Sequence, residues 1–295
     1  MRATRPTLRT EQTQPTLHTP DSAVTARPLR SQGEREAAVG LYRQVFGLGA
    51  GDPAMTPKLL VALQRNGGSA LGAFDPSGRL VGFTYGFVGT QDGATYHYSQ
   101  AAVVDAAAQG KGVGRVLKRA QAAEASRAGV RAMRWAYDPM LARNAHFNLD
   151  VLGARGRWFV RDYYGLTDAG GRSDRVLVEW RTDADPTDPT GATDSAGGTN
   201  STGATDSTRG AERLGDDPDL AWGTIRATAT DRRLLAIPAR WGAPDGPDPA
   251  RSGDVRDRVA AALENALDAG YVLTSCRRVT PETAVYVLAP AGEAG

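Results

Sequence analysis

Residues 106–129 read AAAQGKGVGRVLKRAQAAEASRAG. Three alternating glycines, Gly110, Gly112 and Gly114, stand where a helical pattern begins, and small or apolar side chains recur on one stripe of that helix. Because glycine has no Cβ, an anion can approach the free N–H groups at the positive dipole end of such a helix. The stretch therefore predicts either a phosphate-binding turn or a strand-to-helix turn that needs glycine for its geometry alone.

Two familiar phosphate-binding motifs do not fit these glycines. A P-loop requires Ser or Thr directly after its lysine, whereas Gly112 follows Lys111. The dinucleotide-binding fingerprint requires the spacing G-x-G-x-x-G, whereas Gly110, Gly112 and Gly114 have the spacing G-x-G-x-G. We therefore expect neither ATP hydrolysis nor a Rossmann-type oxidoreductase.

Apolar periodicity and turn residues on both sides of this stretch predict an α/β protein. Two helices precede three strands separated by turn residues, which is typical of an antiparallel meander. In the helix after Gly112, the apolar stripe leaves Arg115, Lys118 and Arg119 mostly on the outer face. The expected helices are 31–46, 56–66, one beginning near 112, 141–152 and 256–269, and the expected strands are 69–74, 80–88, 95–104, 130–137, 157–165, 174–180, 234–238, 271–278 and 283–289.

One segment differs in composition from the rest of the chain. Residues 183–219 contain almost no large apolar side chain and repeat TGATDS, so this segment cannot bury enough surface to offset its ordering entropy. The N-terminal residues are polar and rich in threonine. We expect a disordered tail over 1–23, a main domain over 24–181, a disordered linker over 182–219 and a small C-terminal α/β unit over 220–291.

The overall composition limits the classes of function. Thirty-five Lys and Arg residues against 33 Asp and Glu residues leave a net charge of +2, which does not indicate a nucleic-acid-binding surface. One cysteine, Cys276, excludes an internal disulfide, and three histidines do not suggest a metal site. The N-terminal segment lacks the apolar core of a secretory signal, and no later stretch has the length of a membrane span. We expect a cytoplasmic protein that binds no metal, nucleic acid or membrane; its oligomeric state is not indicated.

The segment QGKGVG at 109–114 resembles the Q/R-x-x-G-x-G/A signature of the GNAT superfamily of N-acetyltransferases. It lies five residues after Val104, where that family ends its fourth strand, and the resemblance covers residues 25–181. Residues 134–154, RWAYDPMLARNAHFNLDVLGA, and the YYG at 163–165 look like a bacterial subgroup of GNAT proteins that also carries the C-terminal unit. The resemblance implies the GNAT acyl-CoA N-acyltransferase fold, an α/β (α+β) arrangement of a mixed sheet with helices on both faces, plus a small C-terminal α/β unit.

The resemblance also implies a site for acetyl-CoA as the acyl-donor substrate, without a metal. Backbone groups of Val103 and Val104 would pair with the pantetheine arm, and the amides from Gln109 to Gly114 would bind the pyrophosphate. Asn144 matches an asparagine that the family uses against the cofactor, and its alternative role is that of a helix-capping residue. The implied cofactor-binding residues are Val103, Val104, Gln109, Gly110, Lys111, Gly112, Val113, Gly114 and Asn144.

The position of the general base departs from the family pattern. Many members carry a glutamate base on the fourth strand, and the matching residue here is Ser99, which cannot accept the proton alone. His97 lies two residues earlier, on the same face of the predicted strand. A histidine of ordinary pKa can accept a proton from an ammonium group near neutrality, and the alternative is a structural histidine. Ser99 and His97 are therefore candidate catalytic residues.

The usual proton donor is also missing. The tyrosine that protonates the departing thiolate in many members matches Leu149. Tyr163 and Tyr164, in the strand predicted to follow, are candidate substitutes, with core packing as the alternative for at least one of them. Asp138 is a candidate for binding the amine or a turn-forming residue. Cys276 lies far from the glycine motif and is not expected to act as a nucleophile.

These features leave two functional classes open. The first is an acyl-CoA-dependent N-acyltransferase that transfers an acetyl group from acetyl-CoA to a primary amine of a small molecule or peptide by direct attack. The second is a catalytically weakened GNAT fold that binds acyl-CoA as a sensor or interaction module, because the usual glutamate and tyrosine are absent. The sequence carries no motif that identifies the amine acceptor.

Overall fold

The computed structural model describes residues 17–19, 22–165, 172–182, 221–248 and 252–293 of the 295-residue chain. The chain divides into two compact units, one ending at Arg131 and the other beginning at Ala132. The linker predicted over 182–219 lies, except for Thr182, outside the described residues, as do residues 1–16 of the predicted tail.

The first unit contains an antiparallel array of five strands. The strands are β1 (Leu17–Thr19), β2 (Ser22–Pro28), β3 (Ser69–Phe74), β4 (Leu80–Gln91) and β5 (Ala94–Val104). They lie in chain order, so each strand pairs with its neighbour in sequence. The predicted meander is therefore confirmed as β3 to β5.

Two of these strands correct the prediction of a disordered tail over 1–23. β2 pairs with β3, with Thr25 opposite Phe74, and Ala26 is 2% exposed in the apolar core. This pairing supplies hydrogen bonds and buried area that a polar, threonine-rich composition does not reveal. The prediction is therefore wrong for residues 17–19 and 22–23, which form β1 and the start of β2.

Local sequence signals specify the helices of the first unit. These helices are α1 (Gln32–Phe46), α2 (Pro57–Arg65) and α3 (Val113–Arg127). At the start of α1, Ser31 and Glu34 form a capping box in which each side chain accepts from the backbone N–H of the other. Thr56 caps α2 by accepting from the Leu59 N–H. The expected helices over 31–46 and 56–66 are thus confirmed.

The three helices cover both faces of the strands in the first unit. Leu71 and Ala73 of β3 pack in a core cluster with α3. Ala70 and Phe74 point to the opposite face, because side chains alternate along a strand, and they pack in a cluster with α1 and α2. The prediction of helices on both faces is confirmed for this unit.

The second unit contains seven described strands with antiparallel neighbours. These are β6 (Ala132–Tyr137), β7 (Arg155–Val160), β8 (Arg175–Arg181), β9 (Ile225–Ala227), β10 (Arg233–Pro238), β11 (Tyr271–Arg278) and β12 (Thr283–Pro290). They lie in the order β6-β8-β7-β11-β12-β10-β9. The helices are α4 (Ala142–His146), which a π-helix at Phe147–Val151 continues, and α5 (Gly253–Asp268).

The C-terminal segment extends the sheet of the second unit. Leu273 on β11 lies opposite Gly156 on β7. The predicted boundaries place 24–181 and 220–291 in different units, whereas strands from both segments share the compact unit that begins at Ala132. Pairing between distant strands leaves no local trace in the sequence, which is why periodicity and composition did not reveal it.

Two further local predictions differ from the structure. The helix expected over 141–152 consists of α4 and the π-helix that follows it. The strand expected over 157–165 ends at Val160, so Tyr163 and Tyr164 lie in a turn and not in a strand.

Candidate functional site

The glycine motif forms the connection from β5 to α3. A 3-10 turn at Ala106–Ala108 follows the strand, and the Asp105 carboxylate caps it by accepting from the Ala107 N–H over 2.9 Å. The Gln109 side chain donates to the Val104 carbonyl over 3.3 Å. These hydrogen bonds hold the start of the motif against the end of β5.

The backbone of the motif is open to approach. Gly110 and Gly112 have φ angles of +77° and +75°, in the left-handed region that favours glycine. A Cβ at either position would find no atom within 4 Å. Gly112 is the N-cap of α3, and within the described ranges no side chain caps this helix end. The first amides of α3 can therefore donate to an anion, and the helix dipole favours negative charge there.

Close packing fixes the position of this helix end. Val113 is 2% exposed. A Cβ on Gly82 of β4 would lie 2.9 Å from Val113 Cγ1 and 3.0 Å from Leu117 Cδ1, so only a residue without a side chain lets α3 lie this close. The motif is thus a backbone turn held by close packing, with free amide donors of the kind that can bind an anion such as phosphate.

The first unit brings most of the predicted cofactor-binding residues together. Val103 and Val104 are the last two residues of β5, directly before the turn that carries Gln109 to Gly114. Val103 is buried and Val104 half-buried. Asn144 lies in the second unit, exposed on α4, and its contact with a cofactor stays a prediction.

Four buried polar side chains form a hydrogen-bonded network between the strands and α3 of the first unit. His97 Nε2 lies 2.9 Å from Ser69 Oγ, and the Gln121 amide donates to the same oxygen over 2.9 Å. Thr84 Oγ1 donates to the Ala101 carbonyl over 2.8 Å and lies 3.3 Å from Gln121 Oε1. The four side chains belong to Ser69, Thr84, His97 and Gln121, and each of these residues is at most 5% exposed.

The environment of His97 weakens it as a base. A Cβ at Gly86 of β4 would lie 2.6 Å from His97 Nε2, so this glycine provides the space for the ring. Burial, together with the charge of Lys118, lowers the pKa of His97 to about 4. A base this weak is neutral at physiological pH and a poor acceptor for the proton of an ammonium group. The geometry therefore favours the structural interpretation of His97.

Ser99, the other candidate on β5, contacts a lysine. Lys118 Nζ donates to Ser99 Oγ over 2.7 Å, and the two residues are 4% and 3% exposed. Burial lowers the pKa of Lys118 to about 7. The prediction that Lys118 lies on the outer face of its helix is therefore wrong. Lys118 shares a helix face with Ala122 and Ala125, which are buried, and this row of small residues is the sequence signal that could have placed it inside.

Tyr163 and Tyr164 lie in the second unit, in the turn after β7. Ser173 holds this turn, because its carbonyl accepts from the Tyr163 N–H and its hydroxyl from the Tyr164 N–H. Tyr164 is 52% exposed, so core packing does not account for it. Leu149, at the usual tyrosine position, is 1% exposed and belongs to the core.

Asp138, the candidate for binding the amine, has partners within the second unit. It accepts from the Met140 N–H over 2.9 Å, as expected for a turn-forming aspartate. Its other carboxylate oxygen lies 3.3 Å from Arg256 Nη2 on α5. These contacts support the turn-forming alternative.

The sequence interpretation missed a buried carboxylate in the second unit. Asp150 accepts from the Ser275 hydroxyl over 2.6 Å and from the Cys276 N–H over 2.9 Å, and its Oδ2 lies 3.1 Å from His146 Nδ1. Burial would raise the pKa of Asp150, but hydrogen bonds, foremost that from His146, hold it below its ordinary value. The same bond raises the pKa of His146. The spacing of four residues between His146 and Asp150 on a predicted helix was the available signal.

Three further observations concern possible metal ligands, membrane-spanning helices and the one cysteine. Among the described residues, no group of three or more His, Cys, Asp or Glu side chains could hold a metal ion. None of the helices in the described ranges is long and apolar enough to cross a membrane. Burial raises the pKa of the Cys276 thiol, which disfavours a reactive thiolate.

Comparison with known proteins gives a result only at the level of solved structures. No family model matches the chain, and the search of curated proteins found no significant match. One similar structure is a GNAT-superfamily phosphinothricin acetyltransferase from Sinorhizobium meliloti in complex with AcCoA, with 16% identity, 54% of this chain and 88% of that chain covered, and a TM-score of 0.45.

Two more similar structures have comparable scores. A putative acetyltransferase from Salmonella typhimurium with its cofactor acetyl-CoA is 22% identical to this chain. The similarity covers 55% of this chain and 96% of that chain, with a TM-score of 0.45. The ribosomal-protein-S5-alanine acetyltransferase from Vibrio fischeri has 17% identity, 58% and 98% coverage and a TM-score of 0.46. In each of these three comparisons the similarity covers little more than half of this chain. The predicted fold class, an α/β sheet with helices and a C-terminal α/β extension, is confirmed.

Proposed function

We propose that the protein is an acyl-CoA-dependent N-acyltransferase that transfers an acetyl group from acetyl-CoA to a primary amine of a small molecule or peptide. The observation that carries this proposal is the open backbone cradle at Gly110 and Gly112, between the end of β5 and the start of a buried helix. The pyrophosphate of coenzyme A is an anion of the kind that such amides bind. The signature at 109–114, which differs from both nucleotide-binding motifs, supports an acyl-CoA ligand.

The residues that would hold the donor contribute mainly backbone. The amides from Gln109 to Gly114 would bind the pyrophosphate, and Val103 and Val104 would pair with the pantetheine arm. Acetyl-CoA supplies an activated thioester, so the chain's own task is to orient the acceptor and to move protons. Contacts from Lys111 and Asn144 to the donor stay predictions.

The departing thiolate needs a proton, and Leu149, at the position where the family carries a tyrosine, has none to give. The assignment of Tyr163 or Tyr164 as the donor stays a prediction.

A second candidate function is that of an acyl-CoA sensor or interaction module without turnover. The neutral, buried state of His97 favours it, because this residue was the candidate base from the sequence. Thiol release from acetyl-CoA across a panel of primary amines separates the two functions. An acyltransferase raises release above the protein-free rate and adds one acetyl group to the amine, whereas a sensor does neither.

Calorimetry with coenzyme A tests the cradle itself. Gly112→Ala places a Cβ in the open space before α3 and strains the N-cap, because φ there is +75°. We expect the affinity for coenzyme A to fall by about tenfold or more, which corresponds to about 1.4 kcal/mol.

Gly129→Ala is the matched control for this variant. Gly129 follows the other end of α3, has a φ of +79° and would also present its Cβ to open space. The two substitutions therefore impose a similar backbone strain at opposite ends of one helix. Equal affinities for Gly112→Ala and the parent protein, or an equal loss in both variants, would contradict the cradle as the binding site.

A further inference from the structure

The carboxylate of Asp150 has used all of its capacity to accept hydrogen bonds. Its Oδ1 accepts from the Ser275 hydroxyl over 2.6 Å and from Arg277 Nε over 3.3 Å. Its Oδ2 accepts from the Cys276 N–H over 2.9 Å and lies 3.1 Å from His146 Nδ1. A carboxylate has about four acceptor sites, so Asp150 can take no further hydrogen bond from the two basic side chains that it holds.

The contacts of His146 determine which of its ring nitrogens loses a proton on titration. Nδ1 lies 3.1 Å from Asp150 Oδ2 and 3.0 Å from the Cys276 carbonyl, and both partners are acceptors. Nδ1 therefore carries a proton in the neutral ring as well as in the charged ring. Nε2 has no hydrogen-bond partner among the described residues, and the side chain is 51% exposed. The protonated ring thus presents an unused Nε2–H donor to solvent.

Arg277 presents unused donors beside the same carboxylate. Its Nε contacts Asp150, its side chain is 52% exposed, and Nη1 and Nη2 have no partner within the described ranges. The hydrogen bond with Asp150 raises the pKa of His146, and the charge of Arg277 opposes this shift, as expected of a neighbouring cation. Arg155, at the start of β7, is a third basic residue within range of the Asp150 charge. Positive charge therefore exceeds negative charge around Asp150 when His146 is protonated.

We propose that His146 and Arg277 form a binding site for a phosphate group, either free or as a monoester of a small molecule. The Nε2–H of protonated His146 and the Nη donors of Arg277 would bind the phosphate oxygens, because charge-assisted hydrogen bonds are stronger than neutral ones. Both side chains are anchored on Asp150, which is 11% exposed, so they lose less conformational freedom on binding than unanchored surface side chains do. The site lies within the second unit and does not depend on the acyltransferase function.

Binding at this site is linked to the protonation of His146. Only the charged ring has an Nε2–H donor, so an anion binds the protonated form more tightly and its affinity falls as the pH rises through the pKa of His146. By reciprocity, a bound anion raises that pKa. Sulfate is the probe for this linkage, because it has the tetrahedral shape of phosphate and keeps its charge while the ring titrates.

Proton NMR of the imidazole signals tests the site on the full chain. The chain contains three histidines, and the His146 signal is the one that is missing from the spectrum of His146→Gln. Sulfate is compared with chloride at equal ionic strength, so that general screening is the same in both. We expect saturating sulfate to raise the His146 midpoint by about one pH unit, which corresponds to about tenfold tighter binding to the protonated ring.

Affinities for inorganic phosphate and phenyl phosphate at pH 6 test the two side chains separately. Arg277→Gln and His146→Gln each remove charged donors and should weaken the binding of either probe by about tenfold. Arg278→Gln is the matched control, because this exposed neighbour already donates to the carbonyls of Thr280 and Pro281. It should bind both probes as the parent does.

The outcomes separate a built site from general attraction to a basic surface. A midpoint shift in sulfate, with losses confined to Arg277→Gln and His146→Gln, supports the site. Phenyl phosphate that binds as tightly as inorganic phosphate points to an ester as the ligand, whereas binding of inorganic phosphate alone points to the free anion. Equal losses in Arg277→Gln and Arg278→Gln would overturn the proposal, because the anion would then respond only to net charge. A His146 midpoint that is the same in sulfate and chloride would also overturn it.

Discussion

Ser69 Oγ and His97 Nε2 lie 2.9 Å apart, and both residues are at most 5% exposed. The hydroxyl of Ser69 can donate to a neutral ring or accept from it, so this contact satisfies a buried imidazole without a charge. A protonated ring would instead place a positive charge close to Lys118 in a desolvated site, which is why the pKa of His97 is lowered to about 4. The relationship makes His97 a determinant of stability at low pH.

The first prediction is that His97 makes the protein less stable as the pH falls from about 6.5 to 4. In this range the unfolded chain binds a proton at His97 and the folded protein does not, so the free energy of unfolding decreases with falling pH. His97 should account for a decrease of about 3 kcal/mol. The variant His97→Gln does not titrate in this range. The free energy of unfolding of the parent minus that of the variant should therefore decrease by about this amount between pH 7 and pH 4.

Urea unfolding at several pH values measures this difference. At each pH the free energy of unfolding of the variant is subtracted from that of the parent. The contributions of the carboxylates, which both proteins share, then cancel to first order. A difference that is constant from pH 7 to pH 4 would mean that His97 is charged or solvated in the folded protein.

The sequence predicted the parts of the fold that local signals encode. Ser31 and Thr56 mark the starts of α1 and α2 with caps, and turn residues separate the strands of the meander. Gly110 and Gly112 predicted the cradle because a left-handed turn before a helix depends on a few adjacent residues. Each of these signals lies within a few residues of the helix start or turn that it specifies.

The features that the sequence did not predict depend on distant partners. Leu273 lies opposite Gly156, and neither residue marks that pairing in its own segment. Lys118 is buried because Ser99 on another element accepts its hydrogen bond, although a lysine next to an apolar stripe normally extends to solvent. Charged residues inside a fold are recognised only when their partners are known.

The second prediction concerns Asp150, which links α4 and the π-helix to β11. Asp150→Asn keeps the shape of the side chain but removes the charge that accepts from Ser275, the Cys276 N–H and His146. Because the residue is largely buried, we expect the free energy of unfolding to fall by about 2–3 kcal/mol. Chemical denaturation monitored by tryptophan fluorescence measures the loss.

Asp254→Asn is the control for Asp150→Asn. Asp254 also pairs with a basic side chain four residues away, Arg258, but its own side chain is 71% exposed. This variant should differ little from the parent, because water screens an exposed ion pair. Similar losses in the two variants would contradict a special role for Asp150.

The third prediction concerns the titration of His146. The hydrogen bond with Asp150 raises the pKa of His146 above its ordinary value of 6.5. Its contribution to stability is therefore complete below about pH 6.5 and is lost as the pH rises through the higher folded-state pKa. Proton NMR of the imidazole should give a midpoint above 6.5 in the parent and a lower midpoint in Asp150→Asn. A midpoint that does not respond to Asp150→Asn would show that the two side chains do not interact in solution.

The last prediction concerns the pairing of β7 with β11, which brings the C-terminal segment into the second unit. A Cβ at Gly156 would lie 2.8 Å from the Cβ and Cδ1 of Leu273 and 3.1 Å from Val176 Cγ1. Gly156→Ala should therefore cost about 1–3 kcal/mol through overpacking. Gly253→Ala in the first turn of α5 is the control, because its Cβ would meet open space and alanine favours a helix.

A double-mutant cycle then shows whether the loss arises at this contact. Leu273→Ala alone leaves a cavity, since Leu273 is fully buried, and should cost about 2–4 kcal/mol. In the double variant the Gly156→Ala methyl group occupies part of that cavity, and the removal of Leu273 Cδ1 relieves part of the overpacking. The combined loss should therefore be smaller than the sum of the single losses by about 1 kcal/mol. Strictly additive losses would mean that Gly156 and Leu273 are not in contact and that β11 does not lie beside β7 in solution.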